Sequence, residues 1–160
     1  MTGRRNLRVG FALALAVAVL DQLSKWWIVE MVMQPPRVLP VTPFFNLVLG
    51  YNRGVSFGFL NFNSPLGRWF LVLLALAIVA VLVRWMWKAD KTWVAAVFGM
   101  IIGGAIGNIV DRILVGAVVD FLDFHAAGYH WPAFNIADVA IVCGAAGLIW
   151  DSAFNRPPEG

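Results

Sequence analysis

Four runs of about 20 mainly apolar residues constrain this chain more than anything else in it. A helix needs about that many residues to cross roughly 30 Å of hydrocarbon at 1.5 Å per residue. The runs lie near residues 7–29, 66–87, 93–114 and 136–154. Hydrophobic types make up 61% of the 160 residues and charged types 13%, whereas soluble domains carry about 45–50% and about 25%. A soluble globule of this length would leave too much apolar surface in water. A disulfide scaffold is excluded by the single cysteine, Cys143. The expected class is therefore an all-α integral membrane protein with four transmembrane helices, one membrane-embedded domain over residues 1–160. The first run resembles a cleavable leader, because Arg4, Arg5 and Arg8 precede it. Apolar character resumes after Asp21 with Trp26, Trp27, Ile28 and Val29, so we read it as a retained span ending in an aromatic belt.

The net charge of +3 does not point to nucleic acid, because the basic residues form no stripe interleaved with aromatics. They cluster between the apolar runs. Arg4, Arg5 and Arg8 precede the first, and Arg84, Lys88 and Lys91 lie around the link between the second and third. The 115–135 connection has no Lys or Arg, and the long 30–65 connection has only Arg37 and Arg53. The positive-inside rule then puts both termini in the cytoplasm and the two longer connections outside. The first outer connection contains Pro35, Pro36, Pro40 and Pro43, which oppose helix. Residues 44–49 and 55–60 have strand-like composition, with turn chemistry at 50–54 between them. A small sheet at the outer surface is expected there. The second outer connection is less regular and is read as holding a short helix.

Ionisable residues at membrane depth are expensive and usually functional. With the orientation above, Asp21 and Lys25 fall in the outer half of span one, on one helix face. Asn108, Asp111 and Arg112 end span three, Asp120 lies just beyond it, and Asn135 and Asp138 begin span four. One outer layer collects them all. Gly99, Gly103 and Gly107 form a small-residue stripe continued by Asp111, which places that carboxylate in a packed helix interface. Gly103-Gly104 is read as packing, since no strand or lysine makes it a phosphate loop.

The layer limits the chemistry. His125 and His130 are the only histidines and no Gly-x-Ser-x-Gly run occurs, so a serine triad is poorly supported. Asp120, Asp123, His125 and His130 match no metal-ligand spacing and are read as solvated loop residues, with Asp123 outside the acid pair. Cys143 is read as inert packing. There remain Asp120 and Asp138, 18 positions apart on either side of one connection. Two carboxylates sharing a proton can activate water and protonate a carbonyl. They can equally serve proton or cation transport, and a small carrier is the main alternative on these residues alone. A non-catalytic scaffold would leave the layer without purpose.

Five ordered stretches narrow the choice: Asp21-Gln22-Leu23-Ser24-Lys25; Asn52-Arg53-Gly54-Val55-Ser56-Phe57; residues 103–112, GGAIGNIVDR; Val118-Val119-Asp120-Phe121; and Phe134-Asn135-Ile136-Ala137-Asp138. With them the chain closely resembles the bacterial lipoprotein signal peptidases (signal peptidase II). The resemblance implies four transmembrane helices with a small periplasmic β-cradle and a short periplasmic helix. It implies Asp120 and Asp138 as catalytic pair, with Asn52, Asn108, Arg112 and Asn135 binding or orienting substrate. Asp21, Lys25, Gly54 and Asp111 are implied to support the site. The implied reaction removes the signal peptide of a prolipoprotein just before a diacylglyceryl-modified cysteine, with no metal or other cofactor. The implied location is the bacterial inner membrane, with the site toward the periplasm. Membrane lipid and the prolipoprotein are the expected partners, nucleic acid is not, and a monomer is expected. Val55, Ser56 and Val139 depart from common family residues without touching the acid pair.

Overall fold

The structure is a computed structural model that describes residues 2–54 and 65–154. The strand expected at 55–60 lies outside the described residues. Four helices are long and apolar enough to cross a membrane: α1 (Thr2–Trp27), α2 (Pro65–Met86), α3 (Thr92–Leu114) and α4 (Ile136–Phe154). The first starts earlier than its apolar run, because Arg4, Arg5 and Arg8 prolong the helix instead of preceding it. It continues into a π-helical turn, Ile28–Val32. Helix α3 packs mainly against α1 and α4 and is the most enclosed of the four. Large apolar side chains on the other helices, such as Leu15, Leu73 and Val142, remain exposed, as lipid-facing residues must.

Close approach of α1 and α3 follows from the glycine stripe. A Cβ on Gly103 would collide with the Ala14 carbonyl oxygen and lie 2.8 Å from Val17 Cβ. The glycines let the backbones touch where hydrophobic force between helices is weak. At the end away from the sheet, Ala14, Met86, Ala95, Phe98 and Ile102 join α1, α2 and α3 in one core cluster.

A four-stranded antiparallel sheet, β1 (Leu39–Thr42), β2 (Phe45–Asn52), β3 (Val118–Ala126) and β4 (Tyr129–His130), covers the opposite end in the order β1-β2-β3-β4. Pro40 is tolerated because β1 is an edge strand. Ile28, Met33 and Phe121 form the core beneath the sheet, with Leu39, Leu47 and Ile136 packed on it.

Two expectations are corrected here. Residues 50–52 were expected in a turn, yet they extend β2, which pairs Gly50 with Asp120 and Asn52 with Val118. Long-range pairing overrides the local turn preference. The short helix expected in the second outer connection is absent from residues 115–135, all of which are described. Its apolar, β-branched run forms β3, and the hairpin to β4 turns through Ala127 and Gly128, both at positive φ as a tight two-residue hairpin requires. The sheet is thus built from both connections jointly.

The α1–α3 contact yields a direct test. Gly103→Val should lower the thermal unfolding temperature of the detergent-solubilised protein, by the roughly 1–3 kcal/mol typical of overpacking. Gly3→Ala, where nothing lies within 4 Å of the added carbon, should leave it unchanged.

Candidate active site

Asp120 and Asp138 reach one site from different elements. Helix α3 stops at Val115, whose N–H and that of Gly116 both donate to the Asp111 carbonyl, with Gly116 at φ +86°. This glycine end turns the chain into β3, and Asp120 is the third residue of that strand. Asp138 lies in the first turn of α4. There the Asp138 N–H donates to Asn135 Oδ1 at 3.0 Å, and the Asn135 N–H donates to Asp138 Oδ2 at 3.2 Å. This reciprocal pair is a capping box, and it fixes the rotamer of the second acid.

Asn135 also holds the first acid. Its Nδ2 donates to Asp120 Oδ1 at 2.7 Å and reaches the Val119 carbonyl at 3.2 Å. Asn108 Nδ2 donates to the other oxygen of Asp138 at 2.9 Å. Both oxygens of Asp138 therefore accept N–H donors. Asn52 supports Asp120 from β2, and its own Oδ1 accepts the Gly54 N–H at 2.9 Å. Gly54 at φ +109° makes that turn in a conformation unfavourable to other residues. Burial pushes the Asp120 carboxyl up to about 6; the negative Asp138 adds to the rise, while hydrogen bonds from Asn52 and Asn135 oppose it.

Asp21, Lys25 and Asp111 lie directly behind this pair, all essentially buried. Lys25 Nζ contacts Asp21 Oδ2 at 2.7 Å, Asp111 Oδ2 at 2.8 Å and Asn108 Oδ1 at 3.1 Å. Asp21 Oδ1 accepts the Ala137 N–H at 2.9 Å, one residue before Asp138. Asp111 Oδ2 accepts the Val119 N–H at 3.0 Å, one residue before Asp120. A Cβ on Gly107 would collide with Asp21 Oδ2, so that glycine makes room for the carboxylate. Arg112 Nη1 donates to the Asn108 carbonyl at 3.2 Å, and its charge acts on Asp111, Asp138 and Asp120. Its Nε is buried without a hydrogen-bond partner among the described residues.

All ten residues singled out from the sequence thus meet at one end of the bundle. Gln22, to which the sequence pattern assigns no role, joins them; its Nε2 reaches Asp111 Oδ1 at 2.8 Å and the Gly107 carbonyl at 3.2 Å. An amide in an apolar span was the available signal. Asp123, expected to be solvated, is buried instead. It accepts from Asn46 Nδ2 at 2.8 Å and from His130 Nδ1 at 2.9 Å, bonds that hold its carboxyl below the ordinary range. Three positions along a strand separate it from Asp120, which puts the two carboxylates on opposite faces. His130 stacks on His125 with ring centroids 4.8 Å apart. Among the described residues, no three His, Cys, Asp or Glu side chains come together as a metal site. Cys143, expected to be packed, is exposed on α4.

The environment of Asp120 has a stability consequence. Its carboxyl is raised in the folded protein, so its contribution is most favourable below the unfolded value of 3.8 and is lost as pH rises through about 6. Asp120→Asn removes that loss. The unfolding temperature of the variant relative to the parent should therefore climb between about pH 4 and 6 and level off above; a difference independent of pH would contradict the buried-acid assignment.

Comparison with known proteins identifies the family and the fold. The family described as "Signal peptidase (SPase) II" matches residues 13–154. A lipoprotein signal peptidase of Azoarcus sp. (strain BH72) is 52% identical over 139 residues, covering 86% of this chain and 78% of the relative. One from Methylobacterium sp. (strain 4-46) is 42% identical over 153 residues, covering 95% and 93%. Among solved structures, a bacterial membrane enzyme determined by the in meso method at 1.9 Å superimposes with a TM-score of 0.79 at 29% identity, covering 92% of this chain and 94% of that one. The carrier alternative gives way on these grounds. The chain belongs to the signal peptidase II family, the aspartic-type endopeptidases of bacterial membranes.

Proposed function

We propose that Asp120 and Asp138 hydrolyse the peptide bond preceding a diacylglyceryl-modified cysteine in prolipoproteins. The observation that carries this reading is Asn135, which donates through its side chain to one acid and through its backbone to the other. Asp120 holds the shared proton, because burial favours its neutral form. Asp138 takes a proton from a water placed between the acids, and the water oxygen bonds to the substrate carbonyl carbon. Asp120 gives its proton to the carbonyl oxygen. When the tetrahedral species collapses, Asp138 gives its proton to the leaving amine as the C–N bond breaks, and Asp120 takes a proton back from one hydroxyl of the gem-diol, restoring one proton on the pair.

The neighbouring residues divide the remaining work. Asn108 and Asn135 hold the acids, and the positive charge of Arg112 acts on both of them. Asn52 and Gly54 shape the end of β2 beyond Leu47, its last residue paired with β1 among the described residues, where an extended peptide can add backbone hydrogen bonds. Asp21, Lys25 and Asp111 position the two segments that carry the acids. Both termini lie in the cytoplasm, and the sheet and dyad face the periplasm. The basic residues Arg4, Arg5, Arg8, Arg84, Lys88 and Lys91 sit at the bundle end away from the sheet and support that orientation.

Cleavage of a diacylglyceryl prolipoprotein by purified protein tests the assignment. Asp120→Asn and Asp138→Asn should each reduce turnover by more than about a thousandfold while the protein stays folded, and near-parental turnover in either would reject the pair. The same peptide without its diacylglyceryl group should be cut poorly, and equal rates would remove the lipid from the recognition. Because kcat/KM reports ionisation of the free enzyme, it should fall on the alkaline side with an apparent pKa near the value of about 6 at Asp120. A profile flat from pH 5 to about 8 would contradict a catalytically required proton there.

A further inference from the structure

A groove of about 450 Å³ opens beside the dyad. One wall is a face of α4 formed by Asp138, Val139, Val142 and Cys143; the other is the 131–134 strip that leads into the helix. Those α4 positions follow i, i+1, i+4 and i+5, so the wall descends roughly 7.5 Å along the helix from Asp138. Among the described residues, Asp138 is the only charged one lining it. The facing strip is well held. The Phe121 and Leu122 N–H groups both donate to the Phe134 carbonyl, the Phe134 N–H returns to Leu122, and the Trp131 N–H donates to Phe124. Phe134 also stacks on Phe124 with ring centroids 5.8 Å apart. Val142 and Cys143 are exposed, so the groove opens sideways where lipid would lie.

We propose that this groove seats one acyl chain of the substrate's diacylglyceryl group, with the glyceryl end at Asp138 and the methyl end toward Cys143. The inference rests on the function proposed above and adds the place where the lipid binds. In that reaction the lipid is attached to the residue immediately after the scissile bond. With the bond between the two acids, the acyl chains must leave within a few bonds of Asp138, and the groove begins there. Its chemistry selects the occupant. An extended peptide would leave N–H and C=O groups unpaired against apolar walls, a cost that an acyl chain does not carry. The volume falls within the roughly 300–1,000 Å³ typical of pockets for small ligands. Transfer of a chain from bilayer to groove gains little hydrophobic free energy, because lipid tails are already apolar. The groove therefore acts by position, holding the lipid so that the neighbouring carbonyl lies against the acids.

Photo-crosslinking tests this directly. The full-length Asp120→Asn protein, which should hold substrate without cutting it, is reconstituted in phosphatidylcholine vesicles with a diacylglyceryl prolipoprotein peptide bearing a diazirine midway along an acyl chain. Labelling of residues 131–143, mapped by mass spectrometry, should exceed by about tenfold that from phosphatidylcholine carrying the same diazirine. Equal labelling by the phospholipid, labelling centred on α1 or α2, or groove labelling only from a diazirine in the signal peptide would each overturn the proposal. In a second arm, Val142→Trp fills the groove and should lower kcat/KM for the diacylated substrate by about tenfold; a parental kcat/KM would also overturn it. Either failure leaves cleavage by the parental protein intact, so it is distinguishable from failure of the dyad assignment, in which no acid-dependent cleavage would be seen at all.

Discussion

Everything at the sheet end of this bundle is referenced to one buried cation. Lys25 Nζ, 3% exposed as a residue, lies between the carboxylates of Asp21 and Asp111. Each carboxylate also accepts a backbone N–H beside a catalytic candidate. Asp21 holds the N-terminal turn of α4 and Asp111 holds the start of β3. Burying two negative groups so close together would be prohibitive without the lysine, and burying the lysine would be prohibitive without them. The network stabilises the fold little beyond offsetting its own desolvation. Its value is geometric, because it ties α1, α3, β3 and α4 to a common point.

The dyad inherits that geometry. Asn108 links Lys25 to Asp138, accepting at its oxygen and donating from its nitrogen. Asn135 then connects Asn108 to Asp120. Both amides are oriented by fixed partners, so the carboxyl groups cannot rotate freely before substrate arrives. The site holds four carboxylates, from Asp21, Asp111, Asp120 and Asp138, against the cations of Lys25 and Arg112. A proton shared by the acid pair reduces that excess of negative charge, in keeping with the raised Asp120 carboxyl. The electrostatics that strain the fold are those that the proposed acid–base chemistry would use.

Much of the site was legible in the sequence because membrane depth makes polarity scarce. Each ionisable residue in an apolar span had to be expensive and therefore informative, and orientation from Arg and Lys brought Asp21, Lys25, Asn108, Asp111, Arg112, Asp120, Asn135 and Asp138 to one level. The same logic was weaker in the connections, where polar residues cost little. Asp123 looked solvated because nothing local announces Asn46 and His130 as its partners. The turn-like residues 50–52 joined a strand because their partner, β3, lies some 70 positions away. Cys143 stood among apolar neighbours in sequence, yet helix periodicity turned it outward beside the groove.

Sequence alone determined the four crossings, the glycine stripe and the placing of the polar residues toward one end of their helices, since these depend on length, hydropathy and helical spacing within single segments. Tertiary structure decided which backbone groups the supporting carboxylates hold, how both connections combine in one sheet, and where an apolar groove meets Asp138. Those features arise from contacts between segments far apart in the chain. Such contacts are settled by packing and hydrogen-bond satisfaction across the whole assembly, which no local pattern encodes.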